Sequence, residues 1–234
     1  MFIPIEKFQV LMSVLFIISF NTGGILFLNL TFLELFPTYL CKDSTNPGRG
    51  EYPCKPVDFC NNASISERID ESNPASLHNW VQDLDLTCLY ANGHGARVGL
   101  IGALYFAGCT VSAATLPRLS DIYGRKLLYI ISMGGHFVSY LALLISRDLT
   151  ATIVIMFFFG YFSVGRTIVG YIYMQEFIPT GSQSTVGTCL QVLSGMNSVI
   201  GVFYFYVISK EWLYLQIFGC SLNLLVFAAL FFVP

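Results

Sequence analysis

The chain has 234 residues, of which 55% are hydrophobic and only 11% charged, and its mean hydropathy is +0.66. Soluble domains carry about 25% charged residues, so an ordinary globular protein is excluded and an integral membrane protein with the lipid bilayer as its solvent is expected. The formal net charge of −2 and the absence of a basic tract or aromatic stacking platform give no reason to expect a nucleic-acid partner.

Residues 1–36 hold an N-terminal tail and the first candidate transmembrane helix. From Phe8 to about Thr31 the chain is apolar apart from Gln9, Ser13, Ser19, Asn21, Thr22 and Asn29. As a helix this run is about 36 Å long, enough to cross a bilayer. The apolar core is too long for a cleaved signal peptide, the tail offers only Lys7, and no A-x-A-like site follows, so a retained span is expected. Near its middle Asn21 and Thr22 precede Gly23 and Gly24. Polar side chains beside a glycine pair suit a locally unwound midplane binding site, and equally a close helix-packing contact. Glu34, near the end of the run, either attracts cations or is simply solvated.

Residues 37–96 form a polar loop containing most of the acidic residues, several prolines and Cys41, Cys54, Cys60 and Cys88. Four cysteines in such a segment predict two disulfides made in an oxidising compartment, with three pairings open. A metal site is not expected, because no C-x-x-C pair is present and His78 has no partner at ligand spacing. The sequon Asn62-Ala63-Ser64 predicts glycosylation at Asn62 and an extracellular cap.

Residues 97–234 contain five further apolar runs, about 98–116, 127–145, 153–174, 186–208 and 213–233, each about long enough to span. Their connectors are short. The predicted fold class is therefore all-α integral membrane, with six transmembrane helices and a disulfide-containing extracellular loop after the first. Cys109, Cys189 and Cys220 fall inside apolar runs and read as packing residues, as does the lone His136. Lys7, Arg118, Arg125 and Lys126 fall on one side by alternation, Arg147 and Lys210 on the other. The positive-inside rule and the sequon agree on a cytoplasmic N-terminus. Arg166 lies within the fourth run, about 15 Å from Glu176 along a helix. An ionisable residue at that depth is a functional hypothesis by default and favours an anionic solute or a buried carboxylate; the competing reading is snorkelling or a fixed hydrogen bond to backbone carbonyls. Gly187, Gln191, Ser194 or Gly195, and Ser198 make a small and polar stripe on the fifth run. Tyr161, Tyr171 and Tyr173 offer aromatic faces to an organic cation, or simply to lipid. With no Ser-His-Asp set, metal cluster or phosphate loop, neither enzymatic activity nor a cofactor is expected.

The connector between the second and third runs is Pro117-Arg118-Leu119-Ser120-Asp121-Ile122-Tyr123-Gly124-Arg125-Lys126. It resembles the G-x-L-a-D-r-x-G-R-k hallmark of the major facilitator superfamily at Asp121, Gly124, Arg125 and Lys126, with Pro117 in place of the leading glycine. The fourth connector, from Glu176-Phe177 through Thr185-Val186-Gly187 to Gln191, resembles E-F-x-x-x-x-x-R-x-T-V-G-x-x-x-Q of the organic cation/anion transporter branch. Gly165, Gly170-Tyr171, Trp212-Leu213-Tyr214-Leu215-Gln216, Asn223 and Asp85-Leu86-Thr87-Cys88 also resemble that branch. Gln183 stands where the branch has arginine, and Met156 where many members have arginine ahead of Gly160.

The resemblance implies an N-terminal six-helix half that rocks against a second half around a central site for a small organic solute, in the plasma membrane. It implies that Asp121 faces the N-terminus of a helix in that second half, where the helix dipole favours a carboxylate, and that Arg125 pairs with Glu176. Asn21, Arg166 and Gln191 become candidates for solute contact; Asp121, Gly124, Arg125 and Glu176 become gating residues. The second half is then either missing C-terminal sequence beyond Pro234 or another chain. Competing expectations are a transporter of sugars or other neutral solutes, and a non-transporting glycoprotein whose cap is a binding module.

Overall fold

A computed structural model describes residues 7–44, 50–62 and 64–232, apart from the side chains of residues 7 and 8. Most of the N-terminal tail, the charge of Lys7, Ala63 of the sequon and Pro234 lie outside what is described. Six helices are long and apolar enough to cross a membrane: Gln9–Leu33, Leu86–Tyr123, Arg125–Ile145, Leu149–Phe177, Thr180–Ile208 and Trp212–Leu230. They are called the first to sixth spans below. The chain is a multi-pass membrane protein whose disulfide-bearing loop follows the first span.

The second span differs most from its apolar run. Its helical stretch runs from Leu86 to Tyr123, but a kink at Gly93 divides it, and the regular helix begins at Gly95, beside the end of the polar loop expected from composition. Residues 90–97 are too polar to read as membrane, but a helix that projects from the bilayer does not have to be apolar. Gly93, at φ 84°, marks a wide turn in this projecting part. At the other end the helix runs through Pro117 and past Asp121 to Tyr123, so Asp121 lies on a helix. Gly124 alone separates it from the third span, at φ 94° and ψ 140°. A side chain there would be strained, which is why a glycine makes this reversal.

The loop after the first span builds a small cap. Strands β1 (Tyr39–Asp43), β2 (Tyr52–Cys54) and β3 (Ile65–Ile69) form an antiparallel sheet in the order β2-β1-β3. Tyr39 faces Cys54 on one side and Ile69 on the other. The pairings left open by the sequence are Cys41–Cys54, within the sheet, and Cys60–Cys88. The second bridge ties the short helix Pro56–Cys60 to the projecting base of the second span. Tyr39, Cys41 and Phe59 form the cap's own core. A sheet this small buries too little to stand alone, and the disulfides and the docking contacts supply the rest.

That docking gathers the connectors at the cap end. Lys210 Nζ donates to the carbonyls of Glu71 (2.7 Å) and Asn73 (3.0 Å). Trp212 Nε1 donates to Asp83 Oδ2 at 2.8 Å, and Arg147 pairs with Asp83 Oδ1 at 2.8 Å. Asn79 Nδ2 donates to the carbonyls of Phe32 and Leu35, where the first span ends. Trp80 packs edge-on against Trp212, ring centres 5.8 Å apart.

Within the bundle the second and fourth spans cross closely through two glycines. The backbone carbonyl of Phe157 occupies the place of a Cβ at Gly108, and that of Tyr105 does the same at Gly160. Without a hydrophobic force between helices in lipid, such contact supplies the packing energy. One apolar cluster, with Leu33, Trp80, Ile101, Tyr140 and Phe159, fills the cap half of the bundle. Another, with Met12, Phe16, Leu116, Met133 and Leu190, fills the far half.

The Cys60–Cys88 bridge closes a loop with a sequence separation of 28, for which the chain-entropy model gives about 3–4 kcal/mol. Replacing Cys60→Ser together with Cys88→Ser should open the cap to limited trypsin digestion at Arg68 while the spans stay protected; an unchanged digestion pattern would show that docking alone holds the cap.

Candidate functional site

Two sets of polar residues stand out, one at the span ends opposite the cap and one at membrane depth. At the ends, Asp121 sits on the last turn of the second span, Arg125 opens the third, and Glu176 closes the fourth. Arg125 Nη1 donates to Glu176 Oε1 at 2.6 Å, and its Nη2 stands 3.7 Å from Asp121 Oδ1. One guanidinium thus bridges carboxylates from two other spans. The Arg125 side chain is 35% exposed and that of Glu176 47%, so water screens the pair and its stabilisation is about 0–1 kcal/mol. Its value is positional: it fixes how three helix ends sit. Ser120, Tyr173 and Phe177 complete an open cleft of about 770 Å³ around it. Gln183 donates to the carbonyls of Gln175 and Ile178 (3.0 and 3.1 Å). It caps the end of the fourth span and carries no charge into the network.

At membrane depth Arg166 is 2% exposed. Its Nη1 donates to the carbonyl of Ser19, to that of Phe20 at 3.3 Å and to Thr22 Oγ1 at 3.2 Å. Gly23 makes room for this: a Cβ there would stand 2.7 Å from Arg166 Cζ and 2.9 Å from His136 Nε2. Around the guanidinium lies a layer of hydrogen-bonded polar groups from the first, third and sixth spans. Tyr129 donates to Ser19 Oγ at 2.6 Å, Tyr140 to Gln216 Oε1 at 2.7 Å, and His136 Nδ1 meets Asn223 Nδ2 at 2.8 Å. No salt bridge involves Arg166 among the described residues. The arginine Nη1 is held by carbonyls of the first span, and its Nε has no partner among the described residues.

The solute-contact candidates do not converge. Arg166 meets one side of the first span, whereas Asn21 faces the other, where Asn197 Nδ2 donates to its carbonyl and its Oδ1, both at 3.1 Å. Gln191 is exposed on the fifth span and lines neither cleft. Sequence reasoning passed over Asn197 because no motif contains it. Its only signal was the spacing from Leu190 to Gly201, buried at intervals of seven and four with Asn197 between. Asn62 is exposed in a turn, with Oδ1 accepting from the backbone N–H and hydroxyl of Ser64. Tyr173 lies in the far apolar cluster, and Tyr161 and Tyr171 pack against it. Glu34, just past the first span, is half-buried, and its Oε1 has no partner among the described residues. Burial pushes its carboxyl up to about 7.

Six membrane-length helices, a disulfide-held cap and a basic reversal bridged to neighbouring span ends define a polytopic membrane protein that fits the six-helix half of a major facilitator. No family model matches the chain. The chain's homologues are nevertheless members of solute carrier family 22, the organic cation/anion transporter branch its connectors resemble. It is 28% identical to solute carrier family 22 member 2 of Mus musculus over 138 residues, 54% of this chain and 24% of that protein. Against solute carrier family 22 member 2 of Rattus norvegicus it is 25% identical over 170 residues, 72% of this chain and 28% of that one. Against solute carrier family 22 member 6-A of Xenopus laevis it is 28% identical over 151 residues, 63% and 25% of the two chains. The chain therefore spans about a quarter of the curated relatives it matches.

Two measurements check these environments. Gly23→Ala should destabilise the protein by about 1–3 kcal/mol, the cost of overpacking a filled site. Gly99→Ala, where nothing lies within 4 Å, should leave the melting temperature in detergent unchanged; equal effects of the two would remove Gly23 from the polar layer. For Glu34, a carboxyl raised from 4.5 to about 7 binds more proton folded than unfolded. Its contribution is therefore present at acid pH and is lost as pH rises through that window. Glu34→Gln should flatten the fall in melting temperature between those pH values, and a slope equal to that of the unaltered chain would refute the assignment.

Proposed function

We propose that this chain is the N-terminal six-helix half of a transporter that moves a small organic ion across a membrane by alternating access. The observation that carries the reading is the Arg125 bridge to Asp121 and Glu176, taken with homologues in solute carrier family 22. A short ion-paired link between span ends suits a half that moves as one body, because it fixes the helices relative to each other while remaining weak enough to exchange partners. Asp121, 69% exposed at its side chain, is available to the positive end of a helix in a second six-helix half, supplied by further sequence or by another chain. Gly124 gives the reversal that places Arg125 beside both carboxylates.

The two halves rock around a midplane site. Asn21 and Gln191 are the proposed solute contacts. Arg166 holds the first span through Nη1, while its Nε has no partner among the described residues and stays a candidate for solute contact. The cap lies on the extracellular side with Asn62 glycosylated, the N-terminus in the cytoplasm, and the plasma membrane is the proposed location. Arg118, Arg125 and Lys126 at the end opposite the cap support that orientation.

Vesicles from cells expressing the whole reading frame, offered radiolabelled organic cations, organic anions and sugars, test the proposal. Saturable uptake of one class of organic ion is expected. Arg125→Glu and Glu176→Arg should each lower it, and the two together should restore much of it. Uptake of sugars alone, or no uptake of any solute, would sink the reading; failure of the double reversal to rescue would remove the bridge from the gate.

A further inference from the structure

The fifth and sixth spans each pack along the first but scarcely against each other. Between them lies a cleft of about 320 Å³ floored by the first span, a size at the small end of ordinary ligand sites (~300–1,000 Å³). Its walls are apolar and include Ile18, Met196, Ile200 and Phe218, and no charged side chain lines it. Its polar groups are Thr22, turned toward the Arg166 layer, and three asparagines.

Those asparagines are spent unequally. Asn21 Nδ2 donates to the carbonyl of Ile17 (2.7 Å), and Asn29 Nδ2 to that of Ile25 (2.7 Å). Asn197 Nδ2 donates to Asn21. The donors are used; of the oxygens, that of Asn21 accepts from Asn197, that of Asn29 is sealed against Gly201, and that of Asn197 is left for a ligand. Asn29 is 1% exposed, lies where Gly201 has no Cβ, and its Oδ1 accepts no hydrogen bond among the described residues. Asn197, 7% exposed, is likewise a donor only in the bonds it makes among the described residues. An unpaired amide oxygen at membrane depth is costly, and no bulk water is there to satisfy it. A cleft left with an acceptor calls for a ligand that brings a donor. A cationic donor would need a counter-charge that the walls lack, whereas a hydroxyl brings one O–H and no charge.

We propose that the cleft between the first, fifth and sixth spans binds an uncharged, membrane-dissolved alcohol, its hydroxyl donating to the amide oxygen of Asn197 and its hydrocarbon body lying against Ile18, Met196, Ile200 and Phe218. The site is distinct from the Arg125 bridge but shares Asn21 with the proposed solute path; it does not require transport, and labelling reads it without any uptake.

The purified chain in phosphatidylcholine vesicles is photolysed with diazirine-bearing dodecanol, or with the matching diazirine-bearing dodecane, and adducts are mapped by mass spectrometry. The alcohol should label residues 193–200 and 215–222 saturably; the hydrocarbon should label the lipid-facing spans without saturation. Ile200 is 51% exposed, so Ile200→Trp fills the cleft without disturbing the core and should abolish the saturable fraction. Asn197→Leu should lower it about fivefold to thirtyfold, the worth of a buried hydrogen bond. Competition by unlabelled cholesterol would make a bilayer sterol the source, and competition by unlabelled dodecanol alone a free alcohol; both support the site. Undiminished labelling of the Ile200→Trp chain, or equal saturable labelling by the hydrocarbon, would overturn it.

Discussion

The contact on which the bundle depends is the guanidinium of Arg166 lying among the carbonyls of the first span. A cation at membrane depth is costly unless protein groups replace part of its hydration. Here the replacement is main-chain oxygen from Ser19 and Phe20 and the hydroxyl of Thr22, made reachable by the missing side chain of Gly23. The arginine holds the first and fourth spans together, and the third and sixth join through His136 with Asn223 and Tyr140 with Gln216. In lipid, interhelical hydrogen bonds of this kind and close van der Waals contact are what associate helices. Two apolar clusters then fill the space on either side of the layer.

The two ends of the bundle are secured in different ways. At the cap end the contacts are many and partly buried. Asp83 receives both Trp212 and Arg147, and Lys210 holds two cap carbonyls, so connectors far apart in sequence share one docking surface. At the opposite end one exposed guanidinium bridges two carboxylates. Screening makes that end the weaker, as a contact that must break and re-form should be. The fifth span differs from the others. It leans chiefly on the first, buries few of its own residues and leaves a cleft beside the sixth.

Much of the fold was legible because apolar length is a property of composition. Six runs predict six spans, and each appears. The kink ahead of the second span was not legible, since Gly93 takes the backbone out of the helix there and composition reports solvent, not backbone geometry. The cap's cysteines could be counted but not paired: Cys41–Cys54 depends on β1 lying beside β2, and Cys60–Cys88 on the second span reaching up into the cap. At the site, the ends of the second, third and fourth spans could be placed by topology, and Arg125 does meet Glu176. The role of Arg166 could not be placed, because a helix period leaves open which neighbour a side chain faces.

The sequence by itself determined that this is a six-span membrane protein with an oxidised polar cap and a basic glycine reversal after the second span. These follow from hydrophobic length, cysteine placement and the φ freedom of one glycine, all of them local. Only the tertiary structure decided which side of the first span receives the arginine and which receives Asn197. It alone decided which cysteines meet, and that Asn29 keeps an unpaired oxygen beside an apolar cleft. Those outcomes depend on how helices far apart in the chain rotate and cross, and in a bilayer that is set by small-residue contacts and hydrogen-bond partners rather than by the hydrophobic pattern.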